Sequence, residues 1–199
     1  MSKRAFNIPN MLTYARILAV PLVAACFFVP EGRLQSSDLA RWVALAIFVA
    51  ASLTDYLDGY LARIWKQTSN IGRMLDPIAD KLLVATCLLL LAADTDQQGG
   101  IAGWSLWAAI IILCREILVS GLREYLAALK VSVPVSQLAK WKTAMQMVAI
   151  AFLLAGPAGD KIFPWTTQIG IVLLWVSALV TLYTGYDYFR AGAKHIMDE

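Results

Sequence analysis

Residues 162–186, 97–114 and 143–159 contain no Asp, Glu, Lys or Arg. Few folds are open to a chain with uncharged runs of that length. A bilayer core takes about 20 helical residues to cross. The first two runs are long enough as they stand, and the third becomes so if its ends lie among the headgroups. Three shorter runs, 17–30, 42–54 and 82–93, reach that length only if neighbouring polar residues join the helix. Within lipid every backbone N–H and C=O must be satisfied internally, which leaves helices and closed barrels. The runs are continuous and lack the period-two alternation of barrel strands, so the barrel is excluded. The expected fold is all-α: a polytopic membrane protein with six transmembrane helices, at roughly 11–30, 40–64, 74–94, 103–128, 138–157 and 165–189.

Composition agrees. Of 199 residues, 59% are hydrophobic and 16% charged, whereas a soluble domain is about a quarter charged. The length fits one membrane domain spanning 1–199. Short polar or Pro/Gly-containing stretches at Pro30–Gly32, Asp94–Gly100, Val131–Pro134 and Gly156–Pro164 read as helix connections. With both termini on one side, 14 of the 17 basic residues collect there, leaving Arg33, Arg41 and Lys161 opposite. The positive-inside rule then makes both termini cytoplasmic. A net charge of +3 is too modest to argue for a nucleic-acid partner. Cys26, Cys87 and Cys114 are isolated in apolar segments and fit neither a disulfide framework nor a zinc site. The stretch ending Leu22-Val23-Ala24-Ala25-Cys26 has the outline of a lipoprotein signal, but Asn7, Pro9, Asn10 and Arg16 interrupt its early part. It is expected to remain as the first span.

Against this apolar background, residues 55–80 read DYLDGYLARIWKQTSNIGRMLDPIAD and hold four aspartates. Asp55, Asp58, Gly59, Ala62 and Arg63 stand at i, i+3, i+4, i+7 and i+8, one face of a helix. Asp76 and Asp80, at i and i+4, share a face of the next. The polar turn Gln67–Asn70 between them folds the two helices antiparallel, so the four carboxylates can converge near the membrane surface. Converging like charges beside hydrocarbon would force some to protonate. A divalent cation removes that cost, and hard oxygen donors suit Mg²⁺ or Mn²⁺, with enough carboxylates for two ions. Solvated interfacial aspartates are the plainer reading, and it would serve for one or two. Small residues such as Gly59 and Ala62 also occur at ordinary helix contacts.

The pattern D-x2-D-G-x2-A-R-x8-G-x3-D-x3-D, met here by Asp55, Asp58, Gly59, Ala62, Arg63, Gly72, Asp76 and Asp80, resembles the hallmark of the CDP-alcohol phosphotransferases. The resemblance implies transfer of a phosphatidyl-type group from a CDP-linked donor to an alcohol, with release of CMP. It implies a divalent metal site formed by Asp55, Asp58, Asp76 and Asp80, with Asp80 as general base. It also implies that Asn10, Thr13, Gly59, Arg63, Ser69 and Gly72 hold CDP-diacylglycerol. A homodimer among membrane lipids, in a bacterial inner membrane with the site facing the cytoplasm, belongs to the same expectation.

The acceptor is read elsewhere. Arg115, Arg123, Lys140 and Lys142 form a second basic group on the fourth and fifth spans. Snorkelling and topology account for Lys130 and Lys194, but Arg115 stands well inside its span, where an arginine is a functional candidate. Guanidinium groups suit a phosphate, which favours a phosphorylated alcohol over choline, ethanolamine or serine. The stretches Asn7–Thr13 with Arg16, Ser120–Glu124 and Lys140-Trp141-Lys142-Thr143 are similar to the phosphatidylglycerophosphate-forming branch of the family, with Ala139 where a glycine is often found. The implied acceptor is sn-glycerol 3-phosphate. Rival readings are a sister enzyme taking inositol phosphate or phosphatidylglycerol, a cation carrier with a carboxylate path, and a non-catalytic scaffold.

Overall fold

The computed structural model describes residues 8–28, 37–65, 70–94, 100–129, 131 and 137–197, apart from the side chains of 8, 9, 37, 56–65, 70, 71, 73, 137, 139, 140 and 193–197. Among the described residues, six α-helices follow in order: α1 Ile8–Phe27, α2 Ser37–Trp65, α3 Asn70–Ala93, α4 Ser105–Ala128, α5 Gln137–Asp160 and α6 Thr166–Met197. No strand occurs among the described residues. Among the described residues, four stretches are long and apolar enough to cross a membrane: Asn10–Phe27, Ser105–Ala128, Trp141–Asp160 and Thr166–Gly192.

The packing inverts the pattern of a water-soluble protein. Leu18, Leu89, Leu118, Val172 and Leu179 face outward, while Arg16, Lys142, Gln146, Ser177 and Thr181 are buried. An outer surface of that kind is stable against lipid, not water. Exposed Trp104, Phe163 and Trp165 mark one end, and Trp141 and Tyr125 lie toward the other. Aromatic rings favour both membrane–water interfaces. Val23, Phe48, Leu88, Leu91, Ile112, Leu153 and Leu174 form the apolar centre.

α5 packs along α6, α4 lies on α6, and α2 on α5. Among the described residues, α1 packs against both α2 and α3 more extensively than these two pack on each other. That arrangement brings polar residues of α1 to the aspartates.

Several boundaries move. α3 already begins at Asn70, inside the expected polar turn, and α6 runs to Met197, past the expected end at 189. The stretch expected to connect from Gly156 is helical as far as Asp160, with Gly156 at φ 43° as a break inside α5. Glycine accepts that left-handed conformation, and Pro157 can open a new helical turn because it needs no N–H partner there.

At the end away from the termini, Arg41 pairs with Asp94 and Lys161 with Asp38. Two of the three basic residues left on this side are therefore each matched by a carboxylate. Arg33 lies outside the described residues.

Candidate active site

The N-terminal halves of α1 and α3 meet α2 at Asp55. Arg16 of α1 is fully buried, and its Nη1 lies 2.9 Å from Asp55 Oδ1 and 2.8 Å from Asp80 Oδ1. Thr13, one turn earlier, donates its hydroxyl to Asp76 Oδ1 at 2.5 Å. The carboxylates of Asp55 and Asp80 are 38% and 35% exposed, against 0% for Arg16. The guanidinium thus stands behind the carboxylates and leaves part of each open in front. Its charge offsets the repulsion that the sequence predicts for converging aspartates.

Of the expected metal set, the structure brings Asp55 and Asp80 to one nitrogen, with Asp76 one turn before Asp80 on α3. Asp58 continues the helical face of α2 one turn beyond Asp55, but its side chain lies outside the described residues. Among the described residues no group of three or more His, Cys, Asp or Glu forms a ligand shell. The donor chemistry nonetheless fits a divalent cation. Carboxylates from two different helices already converge on one positive group with open faces, and such oxygens are the ligands that Mg²⁺ and Mn²⁺ take.

The expected donor-side residues divide. Asn10, Thr13 and Gly72 are buried, Asn10 one turn before Thr13 on α1 and Gly72 one turn before Asp76 on α3. Thr13 supports Asp76 directly. Gly59 and Arg63 lie on the helical backbone of α2, with the Arg63 side chain outside the described residues, and Ser69 lies outside them altogether.

The second group lies on α4, α5 and α6. Lys142, buried on α5, pairs with Glu116 of α4. Arg115 Nη1 reaches the same Glu116 Oε1 at 3.5 Å, and its Nη2 donates to Thr184 Oγ1 of α6 at 3.2 Å. Two cations thus share one carboxylate, which leaves a positive charge over. Arg123 is exposed, with its guanidinium 5.8 Å from the centre of the Tyr188 ring, a cation–π contact. Lys140 is on α5, and its side chain lies outside the described residues.

The acidic and basic groups occupy the same end of the bundle. Lys81, next to Asp80, donates to Ser120, one helical turn after Glu116. Ser52, one turn before Asp55, donates its hydroxyl to the Phe48 carbonyl at 2.8 Å, and its oxygen lies 3.8 Å from Met147 Sδ on α5. Carboxylates on α2 and α3 therefore stand near cations on α4 and α5, an arrangement that can hold a metal-bound pyrophosphate beside an anionic second substrate. The residues the sequence reading did not select are Arg16, Glu116 and Thr184. Arg16 did carry a signal, as a lone arginine directly before an apolar run.

A family model described as CDP-alcohol phosphatidyltransferase matches residues 6–183. A Rickettsia bellii protein named CDP-diacylglycerol–glycerol-3-phosphate 3-phosphatidyltransferase is 44% identical over 95% of this chain and 97% of its own. Relatives of the same name from Cereibacter sphaeroides and Shigella flexneri are 37% and 36% identical, each over 98% of this chain and 99% of their own.

Proposed function

The chain belongs to the CDP-alcohol phosphatidyltransferase family, and on that premise we propose that it transfers the phosphatidyl group of CDP-diacylglycerol to sn-glycerol 3-phosphate, giving phosphatidylglycerophosphate and CMP. The observation that carries this reading is the pairing of a preorganised carboxylate cluster on Arg16 with a basic group on α4 and α5 at the same end of the bundle. Near-full-length relatives bearing the name of that reaction support it.

Asp55, Asp58, Asp76 and Asp80 would hold Mg²⁺ or Mn²⁺, with two ions proposed. Bound there, the metal would neutralise pyrophosphate charge and stabilise the departing CMP. Asn10, Thr13, Gly59, Arg63, Ser69 and Gly72 are assigned to the donor. Arg115, Arg123, Lys140 and Lys142 are assigned to the acceptor phosphate, and Glu116 keeps Arg115 and Lys142 together. Asp80 accepts the proton of the acceptor's primary hydroxyl. That oxygen then bonds to the lipid-linked phosphorus as the bond from phosphorus to the CMP oxygen breaks.

α2 and α3 complete six spans in one membrane domain, with both termini and the site cytoplasmic, in a homodimer in the bacterial inner membrane. The excess of basic residues on the side of the termini supports this orientation. In a variant with Cys26, Cys87 and Cys114 replaced by alanine, a cysteine at Ser69 or Lys130 should be labelled only from the cytoplasm, and one at Gln97 only from outside. Labelling of position 69 from outside would reverse the orientation.

The reaction itself is tested by CMP release from CDP-diacylglycerol in the presence of glycerol 3-phosphate. Release should stop in chelator and return with Mg²⁺ or Mn²⁺; full turnover in chelator would contradict the metal assignment. For the acceptor side, a charge-assisted hydrogen bond is worth about 1.5–3 kcal/mol. Arg123→Ala should therefore raise KM for glycerol 3-phosphate by about ten- to a hundredfold. KM for CDP-diacylglycerol should hold, and Arg63→Ala should show the opposite bias. Equal impairment of both substrates by both variants would reduce the basic group to topological charge.

A further inference from the structure

Gly185 of α6 sits where a side chain would collide with Arg115. A Cβ built at position 185 meets Arg115 Cγ at 2.9 Å, Nε at 3.3 Å and Cδ at 3.7 Å. The closest of these atoms is the stem of the arginine, not its flexible tip. A small shift at Cγ swings the guanidinium through a larger arc, so the collision cannot be relieved without moving the charged group.

Thr184, the preceding residue, supplies the second restraint. Its hydroxyl lies 2.9 Å from the Val180 carbonyl, a contact in which only the hydroxyl can donate. With its proton directed there, the oxygen is left to accept from Arg115 Nη2 at 3.2 Å. Arg115 also lines an apolar groove of about 690 Å³ between α4 and α6 with Trp107, Leu118, Leu182 and Phe189, and among the described residues it is the groove's single charged one. Surfaces of that kind cannot orient a guanidinium. Among the described residues its orientation comes from Thr184 and Glu116.

We propose that Gly185 and Thr184 form a seat on α6 that positions the Arg115 guanidinium for the acceptor phosphate. The inference rests on the assignment of Arg115 to glycerol 3-phosphate. Gly185 acts by its lack of a side chain and Thr184 by its oxygen, and neither touches substrate. α6 thereby sets acceptor affinity from outside the two helices that carry the basic group.

The test measures KM for both substrates and the thermal midpoint of the purified, metal-loaded protein. Gly185→Ala is expected to raise KM for glycerol 3-phosphate by about tenfold while KM for CDP-diacylglycerol holds. Gly192→Ala, one helical heptad further on, is the packing control. Its Cβ would meet the flexible ends of Leu126 and Leu122 at 3.0 and 3.3 Å, so it can lower the midpoint but should leave both KM values in place. Thr184→Val should reproduce the Gly185→Ala shift, and Thr184→Ser should restore affinity. In an Arg115→Ala background, Gly185→Ala should add nothing, because residues that act through one group are not additive.

A folded Gly185→Ala with unchanged acceptor KM, or one that adds its full effect to Arg115→Ala, overturns the seat. Should Gly185→Ala fail to fold, the Thr184→Val and Thr184→Ser pair decides, and equal KM values in the two overturn it. An unchanged acceptor KM in Arg115→Ala itself would overturn the acceptor assignment and the seat together. That outcome is distinct from an Arg115→Ala effect that Gly185→Ala fails to share.

Discussion

Asp80→Asn should abolish phosphatidyl transfer, with a fall of at least about 10³-fold in kcat, in a protein that still folds. The substitution is nearly isosteric, and the Asn carbonyl oxygen can still accept from Arg16 Nη1, which now lies 2.8 Å from Asp80 Oδ1. The α1–α3 contact therefore survives, and the thermal midpoint should move by only a few degrees. What is lost is the base. A neutral amide cannot take the acceptor's proton, and general-base catalysis alone accounts for about 10²–10⁴-fold. Loss of one anionic oxygen from the proposed metal set adds to this. An Asp80→Asn protein with kcat within about tenfold of the parent would remove Asp80 from the chemistry.

Arg16→Leu should have the second-largest effect, and it reads out in stability as well as rate. Arg16 is the buried positive charge in contact with both Asp55 and Asp80. Without it the two carboxylates face each other beside hydrocarbon with their repulsion no longer offset. Removing one partner of a fully buried ion pair costs about 3–5 kcal/mol. The cost here should be below that, because both carboxylates are about a third exposed and water offsets part of the repulsion. Turnover should drop by about a hundredfold or more as the carboxylates lose their fixed placement. A divalent ion then becomes their main countercharge, so Mg²⁺ should raise the thermal midpoint of Arg16→Leu more than that of the parent. Equal Mg²⁺ shifts in the two proteins would mean that Arg16 does not support the cluster.

The helical character of the chain was legible because uncharged runs such as 162–186 are continuous and lack the alternation of barrel strands, which leaves the helix as the backbone solution in lipid. The acidic face was legible for a similar reason: i, i+3 and i, i+4 spacings on a helix need no tertiary knowledge, and α2 does run unbroken through Asp55 and Asp58 to Trp65. What spacing could not give was the packing of α1 against both α2 and α3, since a short connection argues only for neighbouring helices. Arg16 was named only within a branch-like stretch and given no role in the site. The reasoning that selected Arg115, a charge within a span, applies equally to Arg16, but near the N-terminus it also reads as a topological charge. Glu116 and Thr184 were beyond reach because their roles depend on Lys142 and Arg115 arriving from other helices. Gly156 and Pro157 looked like a connection, and the helix instead resumes after a one-residue break.

The most direct test is the lipid product itself. Purified protein would be given CDP-diacylglycerol, Mg²⁺ and an equimolar panel of glycerol 3-phosphate, glycerol, inositol phosphate and phosphatidylglycerol, with lipids and nucleotides resolved by mass. The prediction is phosphatidylglycerophosphate as the dominant new lipid, with one CMP released for each molecule formed. Release of CMP with a different lipid product would keep the family chemistry and contradict the acceptor. No CMP and no new lipid from a folded, metal-loaded protein would contradict the account at its centre.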